Sequence, residues 1–182
     1  SLYEYLMEQI HLLNIEDDYL KIAEYIIGNL DNDGYLRREI KAIVDDLAFS
    51  QGIYTTQEKV KEILENYVQK LDPAGVGARN LQECLLLQIE KKVSRDKAVI
   101  LAGNILRHQF DALTNKHYGK IINKYDIEEE DLKEALEVIS KLSPKVGGNF
   151  DTQTITINQE IIPDFVIQIK DGQVIPLLNS RN

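Results

Sequence analysis

The sequence predicts a mainly α-helical protein: two helical subdomains followed by a short β-containing tail. Three observations carry this. Apolar residues recur at spacings of three and four up to about Leu142, the stripe of an amphipathic helix. The run Asp72-Pro73-Ala74-Gly75-Val76-Gly77 then breaks the helical pattern, because proline cannot continue a helix and glycine admits backbone angles closed to other residues. After Ser143-Pro144-Lys145-Val146-Gly147-Gly148 the apolar period changes from helical to alternating. The expected organisation is a helical bundle over 1–71, a connecting loop at 72–77, a second helical subdomain over 78–142 and a tail over 143–182.

Taken in order, helices are expected near 2–13 and over the stripe Leu20, Ala23, Ile26, Ile27, Leu30. Asp31-Asn32-Asp33-Gly34 follows as turn residues. A helix near 39–50 precedes the cleaner stripe Val60, Ile63, Leu64, Tyr67, Val68, Leu71. Thr55 and Glu58 have capping-box spacing before that stripe, as do Asn80 and Glu83 before the apolar run Leu81–Leu87. Helices near 95–110 and 114–124 come next. Last is the stripe Leu132, Ala135, Leu136, Ile139, Leu142, with Glu128, Glu129, Glu130 and Asp131 in a first turn where the helix dipole favours negative charge. In the tail, Phe165–Ile169, Asp171-Gly172 and Val174-Ile175 read as a β-hairpin.

The 182 residues carry a formal net charge of −9. A phosphate backbone repels such a chain as a whole. The charge is unevenly spread, however. Residues 1–70 hold seven basic and 14 acidic residues, whereas 91–125 hold eight basic and only two acidic ones. Lys116, Lys120 and Lys124 in that stretch form a candidate basic face. A single cysteine, Cys84, excludes an intrachain disulfide, a cysteine-rich zinc site is excluded with it, and a cytoplasmic setting is expected. No apolar run reaches membrane-spanning length, the first residues carry no signal peptide, and the lack of an initiator methionine predicts a piece of a longer protein.

Motifs that could carry chemistry fail on spacing. Asn29–Gly34 resembles the start of a calcium loop, but the twelfth position is Ile40 instead of a bidentate glutamate. Gly75-Val76-Gly77-Ala78-Arg79 precedes a helix and could face a phosphate, yet no strand comes before it and no Gly-Lys-Ser/Thr follows. His11, His108 and His117 lack partners at zinc-helix spacing. Cys84 sits in an apolar segment and is expected to be a buried, inert thiol. No catalytic residue, cofactor, metal or small-molecule substrate is expected. The residues alone describe a non-enzymatic helical interaction domain, and a general protein–protein adaptor is the alternative reading.

Three stretches carry a more specific signal: Ser1–Ile10 (SLYEYLMEQI), Ile22–Leu36 (IAEYIIGNLDNDGYL) and above all Leu71–Gln88 (LDPAGVGARNLQECLLLQ). Together they resemble the core-binding region of sigma-54-type bacterial RNA polymerase sigma factors. Ile161-Ile162-Pro163-Asp164-Phe165 and Leu178–Asn182 resemble the segment that follows it, so the likeness runs over nearly the whole chain. The resemblance implies docking on core RNA polymerase. It implies contact with promoter DNA and with an ATP-hydrolysing activator only through parts of the full factor outside this chain. The candidate protein-binding residues are Asp31, Asp33, Gly34, Tyr35, Asp72, Pro73, Gly75, Val76, Gly77, Arg79 and Gln82. They act either by touching polymerase or by fixing the geometry of the domain.

Overall fold

The computed structural model describes residues 1–148, which contain nine α-helices and no paired strand beyond a single Leu30–Leu36 bridge. The β-hairpin expected at 165–175 lies outside the described residues. Among the described residues no helix is long and apolar enough to cross a membrane.

Two compact units emerge. The first comprises residues 1–87 together with 145–148, and the second comprises 88–144. The division thus falls after Leu87, whereas the expected connector at 72–77 lies inside the first unit.

In the first unit, α1 (Leu2–Leu12) starts at Ser1, whose hydroxyl accepts from the Glu4 amide in a capping box. It packs against α2 (Asp17–Gly28), and His11 reaches Glu24 across the pair at 2.5 Å. The expected helix at 39–50 is α3 (Ile40–Asp46) ending in a π-helical turn over Leu47–Gln51. Gly52, at φ 65°, closes that turn and lets the Ile53 amide donate to the Leu47 carbonyl, a glycine stop. The helix over the 60–71 stripe, α4 (Gln57–Asn66), is capped by Thr56 and not by the expected Thr55: the Thr56 hydroxyl accepts from the Lys59 amide at 3.1 Å. A 3-10 turn, Val68–Lys70, follows. Leu6, Ile10, Ile26, Ile43, Ile63 and Leu64 are fully buried in one core. Val146 joins that core from the far end of the described chain.

The unit boundary runs through α5 (Leu81–Glu90). Its start is as expected, with the Asn80 carboxamide oxygen accepting from the Glu83 amide at 2.8 Å, and Cys84 is buried. In the second unit α6 (Lys97–His108) packs along α9 (Glu129–Ser140). Asp96 caps α6, accepting from the Val99 amide, and Glu128 and Asp131 form a capping box at the start of α9. The helix expected at 114–124 is α8 (Tyr118–Tyr125), starting later than expected, and a short α7 (Phe110–Thr114) lies between it and α6. Lys116, at φ 62°, and the His117 amide donating to the Ala112 carbonyl turn the chain between α7 and α8. The side-chain amide of Gln88 brackets the Ser143 peptide, donating to its carbonyl at 2.7 Å and accepting from its N–H at 2.9 Å. That pairing ties together the two ends of the second unit.

Candidate functional site

The two loops singled out in the sequence, 31–36 and 72–79, meet in the first unit. Asp31 organises the first of them. One of its carboxylate oxygens accepts from the Asp33 and Tyr35 amides, both at 2.9 Å, and the other accepts from Arg37 at 3.2 Å. All of Asp31's oxygens are therefore committed to its own turn, the usual use of aspartate at such positions. Gly34, at φ 93°, completes the turn. The Gly77 amide then donates to the Gly34 carbonyl at 2.8 Å, and the Leu36 amide to the Ala78 carbonyl at 2.9 Å. These bonds sew the loops together edge to edge.

A second set of contacts braces the 72–79 loop from outside. The Asp72–Pro73 peptide is cis. The Gln9 carboxamide grips the Asp72 backbone from α1, donating to its carbonyl at 2.6 Å and accepting from its N–H at 2.9 Å. Gln69 is 3% exposed and donates to the Gly77 carbonyl at 2.9 Å; a buried amide needs such a partner. Gly77, at φ 82°, leaves only 3.2–3.4 Å between an added Cβ and Gln69, Val68 and Leu64. Sequence reading finds neither glutamine, because their partners lie 63 and eight residues away.

Tyr35 is buried, with the Arg37 guanidinium 4.2 Å above its ring. Burial first, then the charge of the neighbouring Cys84 and the hydrogen bond with it, hold the Tyr35 phenol well above the ordinary tyrosine range. Arg79 opens α5. Its guanidinium donates to Glu83 at 2.9 and 2.5 Å and to Glu65 at 2.9 Å, and its own amide donates to Glu83 at 2.8 Å. The Glu83 hydrogen bond above all holds the guanidinium in its charged form. Burial pushes the Glu83 carboxyl up, but the Arg79 bonds outweigh it and the net shift is down. Gln82 is half-buried in the first turn of α5.

What this junction presents outward is limited. Gly34, Tyr35, Gly75, Val76 and Gly77 are buried; Pro73, Arg79, Asp31 and Asp33 are half-buried; Asp72 is exposed. Asp31 and Asp33 rim a cleft of about 510 Å³ that is also lined by Tyr3, Gly28 and Gly147. Lys116 is half-buried at the turn before α8, and Lys120 and Lys124 are exposed one helical turn apart on α8, all in the second unit. No group of three or more potential metal ligands is clustered among the described residues.

A junction built this way acts as a brace: its polar groups are spent on one another. Comparison with known proteins decides which family uses it. The family model described as "Sigma-54 factor, core binding domain" matches residues 1–182, the whole chain. The chain belongs to the sigma-54 core-binding domain family. Among curated relatives, the RNA polymerase sigma-54 factor of Acidithiobacillus ferridurans is 35% identical over 92% of this chain. Those of Pseudomonas aeruginosa (strain UCBPP-PA14) and Bacillus subtilis (strain 168) are each 30% identical, over 95% and 100% of it. The chain spans only 33–39% of the length of these relatives. In this sigma-54 core-binding domain, the long motif at 71–88 is therefore the strap of the first unit, joined to the 31–36 turn.

Proposed function

We propose that this chain docks a sigma-54-type transcription initiation factor on the catalytic core of RNA polymerase, in the cytoplasm. The match of the core-binding family model to all 182 residues carries the reading. On this view the chain is a docking module and not an enzyme. Promoter recognition and the response to an ATP-hydrolysing activator belong to parts of the longer factor outside it.

The 31–36 and 72–79 loops support docking by holding the first unit in one shape. Their internal hydrogen bonds and burial favour that role over direct contact by Tyr35, Gly75, Val76 and Gly77; Asp72 and the half-buried Asp33 and Pro73 are the members of the set that a partner could reach. Arg79 anchors the strap to the start of α5 through Glu83 and Glu65, and Gln82 sits half-buried in the same turn. The acidic balance of residues 1–70 suits a basic polymerase surface, since opposite fields speed encounter.

The test is co-elution of the purified 182-residue chain with purified core polymerase on gel filtration at low salt. A stoichiometric complex is expected. Separate elution at micromolar concentrations of both overturns the reading.

A further inference from the structure

The residues that the sequence nominates for partner contact are largely consumed by the junction, so the contact surface has to be sought elsewhere. The outward side of α1 combines two independent features. First, it exposes large apolar side chains, as the unit also does at Phe49 and Tyr54. Leu12 is 84% exposed, Leu13 41% and Tyr5 39%. Tyr5, Glu8 and Leu12 lie at helical spacings of three and four, on the side opposite the buried Leu6 and Ile10. An exposed leucine alone means little, but Leu12 and Leu13 side by side, with Tyr5 two turns earlier and Glu8 between, make a mixed apolar and acidic stripe of the kind that marks an interaction surface. Second, the stripe is surrounded by one sign of charge. Residues 1–20 contain five acidic residues, Glu4, Glu8, Glu16, Asp17 and Asp18, all exposed, and no lysine or arginine. Three of them follow Leu13 within five residues.

We infer that the Tyr5–Glu8–Leu12 face of α1, continued by Leu13 and edged by Glu16, Asp17 and Asp18, is the surface through which the first unit grips core polymerase. The partner site it fits is an apolar pocket rimmed by lysine or arginine. Leucine supplies the anchor that leaves water on binding, and the carboxylates set orientation and rate of encounter. Gln9, on the same helix, holds Asp72 at 2.6 and 2.9 Å. The strap at 72–79 therefore fixes the helix that carries the contact, which gives the long motif a positioning role. This inference rests on the polymerase-docking reading above.

The experiment measures the affinity of the 182-residue chain for core polymerase by fluorescence anisotropy, across a salt series. Leu12→Ser, at a site exposed enough to leave the fold intact, and the double variant Leu12→Ser/Tyr5→Ser are compared with the unaltered chain, with thermal melting as the control for folding. At least a tenfold loss of affinity is expected for the double variant, and several-fold for Leu12→Ser, with melting of Leu12→Ser unchanged. Asp17→Asn/Asp18→Asn is expected to bind several-fold more weakly at low salt and to show a flatter salt dependence. Unaltered affinity in Leu12→Ser overturns the inference while leaving the docking reading intact. Absence of binding by the unaltered chain overturns the docking reading, and this surface with it.

Discussion

Gly147 tests how the first unit is closed. The chain leaves that unit at Leu87 and comes back at Lys145. On return, Val146 buries its side chain to 2% exposure and the Gly147 amide donates to the Asp33 carbonyl at 3.0 Å. A Cβ at position 147 would stand 2.2 Å from the Asn32 carbonyl oxygen and 2.8 Å from both the Asp33 carbonyl carbon and the Gly34 nitrogen. All three are backbone atoms, so no rotamer change relieves the clash, and Gly147→Ala must lift the segment off the 31–34 turn. The hydrogen bond contributes about 1 kcal/mol. Full burial of a valine side chain contributes about 1.5–3 kcal/mol, and lifting forfeits roughly half of it. Gly147→Ala is therefore expected to destabilise the first unit by about 2–2.5 kcal/mol, read from the urea midpoint by circular dichroism with an unchanged slope. Gly148→Ala is the internal control: no atom lies within 4 Å of a Cβ there, and a change within about 0.5 kcal/mol is expected. A Gly147→Ala chain as stable as the Gly148→Ala chain would refute the closure.

Four further outcomes are expected. Arg79→Met removes the guanidinium bonds to Glu83 and Glu65 and, discounted for partial exposure, should cost about 1–2 kcal/mol in denaturant melts; a neutral result would mean that solvent already screens the cluster. Because the folded state lowers the Glu83 pKa, its contribution is complete above the unfolded glutamate value of about 4.3 and drains away as the pH falls through the folded value; Glu83→Gln should therefore flatten the acid limb of a stability–pH curve, and an unchanged limb counts against the shift. Gln9→Ala loses both bonds to Asp72 and should cost about 0.5–1.5 kcal/mol while raising hydrogen exchange at the Asp72 amide, whereas protection equal to the unaltered chain would show that α1 does not brace the strap. Lys120→Glu/Lys124→Glu, at exposed positions of α8, should leave melting unchanged and weaken polymerase binding several-fold at low salt; equal affinity removes those lysines from the interface.

Helices were legible wherever their signals were local. The stripe at 60–71 and the Asn80 cap needed only spacing within one or two turns, and Asn80 does accept from Glu83. Burial of Cys84 followed from its apolar neighbours. Where two residues could serve equally, the reading slipped: Thr55 and Thr56 are both plausible caps, and the backbone puts Thr56 at the start of α4. The turn at Lys116 that delays α8 to Tyr118 had no local mark, since a lysine at φ 62° is not what its propensity favours. The candidate contact residues in the 31–36 and 72–79 loops were legible as special, but not as to why. Their composition of glycine, proline and aspartate announces unusual backbone, and that backbone can equally serve a partner or the domain itself.

By itself, the sequence determined the helical class, most of the helices, the acidic bias of the first 70 residues and membership in the sigma-54 core-binding family, because each rests on patterns a few residues wide or on motifs matched in order. The tertiary structure alone decided how the first unit is held. It set Gln9 on Asp72, 63 residues away, brought Val146 back into the core and put the division after Leu87. It also turned Leu12 outward while Leu6 and Ile10 turned in. These depend on pairings between distant segments, whose partners no local period specifies, and it is burial against those partners that separates a brace from a surface left open for another molecule.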